Sequence, residues 1–169
     1  MVTSTATEAT IYGPRRETLN VMYDRVLLPT DGTTGAERAI EHAIDAAQRY
    51  DAELHVLYVV DEGVYGAYPG DEYVHESEGA EQGLEDQGEK AVQEIAERAQ
   101  TEGVEAVTAI QYGTPHEEIL RYIEEEDIDI AILGSKDRSG EYRRLIGSVA
   151  ERVARMSKAP VTVVKTPVE

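Results

Sequence analysis

The chain has 169 residues, 41% of them apolar and none of them cysteine. That length suits one domain with a full core, and the missing cysteines exclude a disulfide framework, thiol chemistry and a thiolate metal site. Sixteen Lys and Arg stand against 34 Asp and Glu, a formal net charge of −18 at pH 7, so such a surface repels nucleic acid and anionic membranes.

Residues 1–21 are polar, carry no periodicity, and read as a tail that is disordered or an upstream start. The folded domain is expected to span residues 22–169. No apolar run approaches bilayer length and no secretory pattern opens the sequence, so a cytoplasmic location is expected. The first strand is Arg25-Val26-Leu27-Leu28-Pro29. From Thr34 to Tyr50, Ala36, Ala39, Ile40, Ala43, Ile44 and Ala47 recur at helical spacing. Glu53 to Val60 reads as a strand, and Asp61 to about Gly79 as a long acidic loop. A long helix is expected from Glu81 to Glu102, stopped by Gly103. Val104 to Tyr112 follows as a strand of weaker pattern.

Thr114-Pro115-His116-Glu117 opens the next helix: Thr114 as N-cap, Pro115 in the first helical position, Glu117 closing a capping box. This helix is expected to end near Glu126. Ile128 to Leu133 is almost wholly apolar, as a strand buried on both faces should be. A Gly- and Ser-rich loop from Gly134 to Gly147 leads to a short helix, Ser148 to Met156, and a last strand, Pro160 to Lys165.

Strands alternating with helices mean an α/β fold, a doubly wound parallel sheet of five strands with right-handed crossovers. The count fits order 3-2-1-4-5 or 2-1-3-4-5. Ligands of such sheets sit beyond the carboxyl ends of strands, where the order reverses. In the first order that point lies between strands 1 and 4, after Pro29 and after Leu133.

Asp31, just after strand 1, suits a sugar diol or a metal; equally, Asp31 or Thr33 caps the following helix. After strand 4, Gly134-Ser135-Lys136-Asp137-Arg138-Ser139-Gly140 allows close backbone approach to a phosphate. The helix start near Ser148 adds free N–H groups and a positive dipole end. Between Gly134 and Ser148, Lys136, Arg138, Arg143 and Arg144 oppose Asp137 and Glu141, four against two, a net +2 in an acidic chain. The structural readings are a capping box from Ser148 to Glu151 and a solvated arginine face. A capped helix start can still bind an anion.

Together these segments resemble the universal stress protein family in its nucleotide-binding branch. The resemblance runs from Tyr23 to Lys165. It rests on Val26-Leu27-Leu28-Pro29-Thr30-Asp31, Leu54 to Asp61, Gly113-Thr114-Pro115-His116-Glu117-Glu118-Ile119, and Ile146-Gly147-Ser148-Val149-Ala150-Glu151 with Ala159-Pro160-Val161-Thr162-Val163-Val164. It implies order 3-2-1-4-5 and a site for ATP or another adenine nucleotide, with or without Mg2+. Pro29 and Val59 would flank the adenine, Val59 through its backbone. Asp31 would face the ribose. Gly134 would admit the chain to sugar and phosphates, and Gly147, Ser148 and Val149 would hold phosphates. Thr30, Leu133, Ser135, Lys136, Arg138 and Gly140 complete the expected contact set. The family's phosphate loop reads Gly, two residues, Gly, nine residues, Gly, Ser or Thr. Here Asp137 replaces the second glycine and sets a carboxylate beside the expected phosphates.

The resemblance implies a regulatory or stress-response module, dimeric through the C-terminal strand 161–165, whose apolar edge otherwise lies open. The alternative is a nucleotide-free partner-binding dimer whose ATP site Asp137 impairs. An enzyme is not expected. There is no Gly-x4-Gly-Lys-Ser/Thr loop and no Ser-Gly-Gly-x-Asp-Ser loop after strand 1. His42, His55, His75 and His116 are scattered, so no metal cluster is expected. A phosphorylated receiver domain needs an acidic neighbour for Asp31 and an aspartate after strand 3, where Gln111-Tyr112-Gly113 stands instead.

Overall fold

Five apolar runs become strands: β1 (Arg25–Thr30), β2 (Glu53–Asp61), β3 (Ala106–Gly113), β4 (Ile130–Gly134) and β5 (Val161–Val164). The computed structural model describes residues 22–32, 37–65, 74–135 and 147–165. Between the strands lie α1 (Glu37–Tyr50), the one-turn α2 (Glu62–Tyr65), α3 (Val74–Thr101), α4 (Pro115–Glu125) and α5 (Ser148–Met156). All strand pairs are parallel, in the order β3-β2-β1-β4-β5. This is the first of the two expected orders, and it sets β1 beside β4.

Strand alternation divides the core. Val26, Leu28, Leu54, Val56, Tyr58, Val60, Ile130 and Ile132 face α1 and α3. Leu27, Leu57, Ala131 and Leu133 face α4 and α5, meeting Ile119, Tyr122, Ile123, Ala150 and Val153. Leu27, Leu28, Leu54 and Leu57 are fully buried, each worth about 1.5–3 kcal/mol in transfer from water. The central strands are enclosed on both sides, so apart from His55 their inner residues read as apolar runs rather than alternating ones.

The segment expected as loop from Asp61 to Gly79 contains α2, and α3 begins at Val74 rather than Glu81. The buried stripe of α3 starts at Leu84 and continues through Val92, Ile95, Ala96 and Ala99. Residues 74–83 carry no apolar periodicity, so nothing in the pattern marks them as helix. Two caps also differ. Thr114 is the N-cap of α4 and Pro115 opens it, but the threonine side chain makes no capping hydrogen bond. Glu117 is exposed and Glu118 is the buried acid, paired with Arg121 at 2.8 Å. In α5 the N-cap is Gly147, so Ser148 stands one position too far into the helix to form a box with Glu151. The Glu151 carboxylate instead pairs with Arg155 at 2.8 Å.

A buried polar chain ties β2 to α4. The His55 Nδ1 lies 2.7 Å from the Tyr122 hydroxyl, and its Nε2 lies 2.6 Å from Glu53 Oε1. Burial first, then Glu126 and Glu53, push the Tyr122 phenol up to about 12. The phenol therefore donates to Nδ1, which puts the ring proton on Nε2, toward Glu53. The linkage sign follows. An unfolded tyrosine ionises near 10.0, the folded one near 12, so this contribution is whole below pH 10 and is lost as pH rises toward 12. Melting temperatures measured from pH 9 to 12 should fall, and Tyr122→Phe should fall less steeply. The phenylalanine variant should also start about 1–3 kcal/mol less stable, because Nδ1 loses its buried donor. An equal slope in both proteins would contradict this assignment.

Candidate functional site

The sheet opens where its order reverses. β2 pairs with β1 only as far as Tyr58↔Thr30 but with β3 as far as Asp61↔Gly113. Val59, Val60 and Asp61 therefore run past the end of β1. Among the described residues no strand takes the β1-side backbone groups of that overhang. The β1–β4 ladder is shorter still, Val26↔Ile130 and Leu27↔Ala131, whereas β4 stays in register with β5 through Gly134↔Val164. The result is a crevice between the carboxyl ends of β1 and β4, with β2 backbone that no described strand pairs at one wall.

Strand parity decides what faces it. Pro29, Val59 and Leu133 fall on the α4/α5 side of the sheet. Leu133 is buried, while Pro29 and Val59 are half-buried. Val59 and Val149 both pack against the core of that face. Three apolar side chains from three strands thus make a floor, suited to a flat apolar ring. Gly134 and Ser135 lie at the rim, the Ser135 N–H donating to the Val164 carbonyl at 3.0 Å.

The first turn of α5 completes the rim. Gly147 is buried, Ser148 exposed and Val149 half-buried. Among the described residues no side chain caps this helix start, where first-turn amides and the positive dipole end can serve as donors for an anion. Lys136, Arg138 and Gly140, like Asp137, lie outside the described residues.

Asp31 is exposed, in the turn that leaves β1. The Thr30 hydroxyl accepts the Gly32 N–H at 3.1 Å, and Gly32 has φ +76°, a left-handed conformation that glycine adopts without strain. Asp61 ends β2 and accepts the Gly63 N–H at 2.9 Å. The Tyr58 phenol is pushed up by burial, then by Asp31 and Asp61. The structure thus adds Tyr58 and Asp61 to the neighbourhood of Asp31; both lie in the run from Leu54 to Asp61 that carries the family resemblance, from which only Val59 was expected at the site. The available signal was register: Tyr58 pairs with Thr30, and Asp61 follows three residues on.

Among the described residues no group of three or more His, Asp and Glu is placed to hold a metal ion. Nor is any described helix long and apolar enough to cross a membrane. Two surface grooves lie at the opposite, amino-terminal rim of the sheet. One is lined by Asp127, Asp129, Lys158 and Pro160, the other by Asp51, Ala52, Gly103 and Glu105, and neither receives a residue of the crevice.

Comparison with known proteins gives a consistent answer. The family model of the universal stress protein family matches residues 22–165. Universal stress protein MJ0531 of Methanocaldococcus jannaschii is 34% identical over 149 residues, covering 86% of this chain and 84% of the relative. The solved structure of MJ0577, a universal stress protein of the same archaeon, superposes with a TM-score of 0.75 at 30% identity, covering 88% of this chain and all of the other. A universal stress protein solved in complex with cAMP superposes with a TM-score of 0.62 at 25% identity, over 86% of this chain and 98% of that one.

Proposed function

Because the chain belongs to the universal stress protein family, we propose that it binds an adenine nucleotide in the crevice between β1 and β4 and acts as a cytoplasmic regulatory dimer rather than a catalyst. The observation that carries this reading is the convergence at one switch point of an apolar floor, the β2 overhang beyond β1, a carboxylate and a helix start that no described side chain caps. Each matches one part of a nucleotide. The adenine lies on Pro29, Val59 and Leu133 and meets the Val59 backbone. Asp31 accepts from the ribose hydroxyls. The phosphates reach toward Gly134, Ser135 and the Ser148 hydroxyl and first-turn amides of α5, with Lys136, Arg138 and Gly140 contributed by the intervening loop. The related protein solved with cAMP supports an adenine nucleotide as the ligand class.

Purified protein should release AMP, ADP or ATP on denaturation, detected by mass analysis. Asp31→Ala should weaken ATP binding at least tenfold, the loss of a charge-assisted hydrogen bond being about 1.5–3 kcal/mol. Protein that releases no nucleotide and binds none at millimolar concentration would overturn the proposal.

Dimerisation rests on β5. This strand has four residues, pairs with β4 on one side, and ends the sheet. An open apolar edge invites pairing with a second copy about a twofold axis. Light scattering in molar KCl should give twice the chain mass at micromolar concentration; the mass of one chain would contradict the dimer.

A further inference from the structure

We propose that Tyr58 is a positioning residue for the sugar end of the crevice: its ring joins the Asp31–Gly32 turn to α3, so that a ribose held at Asp31 and the seating of α3 on the sheet stabilise one another. This deepens, and rests on, the nucleotide reading above. Three contacts carry it. Gly88 of α3 lies flat against the tyrosine ring, because a Cβ there would fall no more than 2.7 Å from Cδ1, Cε1 and Cγ. The opposite ring edge meets the turn: a Cβ on Gly32 would lie 3.6 Å from Cε2. The same Cβ would lie 3.2 Å from Gln87 Nε2, so the Gln87 side chain of α3 also stands beside the turn. One buried ring, 5% exposed, therefore packs on the helix at Gly88 and stands beside the turn at Gly32.

The glycine pattern of α3 supports a packing role. Glycine inside a helix costs propensity, so its presence needs a reason. Gly79 and Gly83 would meet nothing within 4 Å, whereas any side chain at position 88 would displace either the helix or the ring. Thr30 Oγ1 anchors the Gly32 amide at 3.1 Å, and Thr30 is itself the register partner of Tyr58. Ring carbons make the nearest approaches to Gly88 and Gly32, so the coupling is carried by the ring, and Tyr58→Phe, which removes only the hydroxyl that Asp31 and Asp61 act on, checks this. Coupling of this kind is reciprocal: what loosens α3 loosens the turn, and a ligand that fixes the turn fixes α3.

The test uses two nucleotides that differ only at the sugar. ATP and 2′,3′-dideoxy-ATP are titrated by calorimetry into the parent, Tyr58→Leu, Tyr58→Phe and Gly88→Ala proteins. Tyr58→Leu and Gly88→Ala should each lose roughly tenfold in ATP affinity and less than about twofold for the dideoxy analogue. Tyr58→Phe should match the parent. Equal losses for both nucleotides, or no loss for ATP, would overturn the proposal. Amide hydrogen exchange provides a ligand-free readout. Gly88→Ala should speed exchange at Gly32 together with α3, and the milder Gln87→Ala should speed it at Gly32 with α3 still seated. Exchange at Gly32 unchanged in both variants would refute the coupling. A parent that binds no adenine nucleotide sinks the functional reading instead, and the exchange result alone then decides the coupling.

Discussion

Replacing Asp137 with glycine is expected to tighten ATP binding at least tenfold, and AMP binding less. Asp137 occupies the second glycine position of the family's phosphate loop. A carboxylate about 4 Å from a phosphate charge costs on the order of 4 kcal/mol at an effective dielectric near 20. Lys136 and Arg138 flank it in sequence and offset much of that; a tenfold change needs only roughly 1.4 kcal/mol of it to remain. AMP places its single phosphate farther from the loop and should respond less. Mg2+ supplies the contrast, because a metal bridging Asp137 and the phosphates would reverse the sign. Repulsion predicts tighter ATP binding in Asp137→Gly with Mg2+ and with chelator alike; bridging predicts weaker binding only with Mg2+. Unchanged affinity under both conditions would mean that Asp137 points away from the phosphates.

The second large effect concerns salt. Thermal melting should rise by roughly 10 °C between dilute buffer and molar KCl. Like charges are stacked on helices here. Glu81, Glu85 and Glu89 repeat at four-residue spacing on α3. Glu124 and Glu125 fill the last turn of α4, which holds no basic residue, and Glu126 and Asp127 follow. Negative charge at a helix C-terminus opposes the dipole by about 0.3–1 kcal/mol per residue, and like-charge pairs four apart cost about 0.2–0.5 kcal/mol each. Together these reach about 2–4 kcal/mol that screening relieves. Lys158 answers Glu124 at 2.8 Å, but that pair is exposed, as are Arg49–Asp45 and Arg155–Glu151, and exposed pairs contribute little that salt could remove. With 34 acids against 16 bases, relief of repulsion outweighs loss of attraction. The composition resembles proteins of cells that keep molar salt, where the Debye length is roughly 3 Å, although a merely acidic mesophilic protein would show the same sign. A flat or falling melting temperature would contradict the prediction.

The architecture was legible because each level of the sequence agreed. Val26 to Leu28 and Ile130 to Leu133 are buried, and Leu54 to Val60 is buried except at the half-buried Val59, so runs that are apolar but for His55 marked the central strands. The helical stripe from Ala39 to Ala47 likewise marked α1. The start of α3 was illegible for the converse reason, since residues 74–83 carry no apolar stripe. At the crevice, Asp31 and the start of α5 were visible as turn and helix-start signals. Tyr58 was not, because its importance depends on Gly88, thirty residues away, and on a glycine turn in another strand's loop. Non-local contacts of that kind leave no spacing to read. The two capping boxes failed for different reasons: Ser148 sits at the first helical position, one residue past the cap, whereas Thr114 is the N-cap as expected but its side chain makes no capping hydrogen bond.

The central claim is that the β1–β4 crevice takes an adenine nucleotide, and its most direct test is a calorimetric titration of ATP in molar KCl, with Asp137→Gly run alongside. Saturable binding near one nucleotide per chain is expected, weakened at least tenfold by Asp31→Ala. No heat from ATP, ADP or AMP at millimolar concentration, in either the parent or Asp137→Gly, would contradict it and leave the nucleotide-free partner-binding dimer as the reading of this fold.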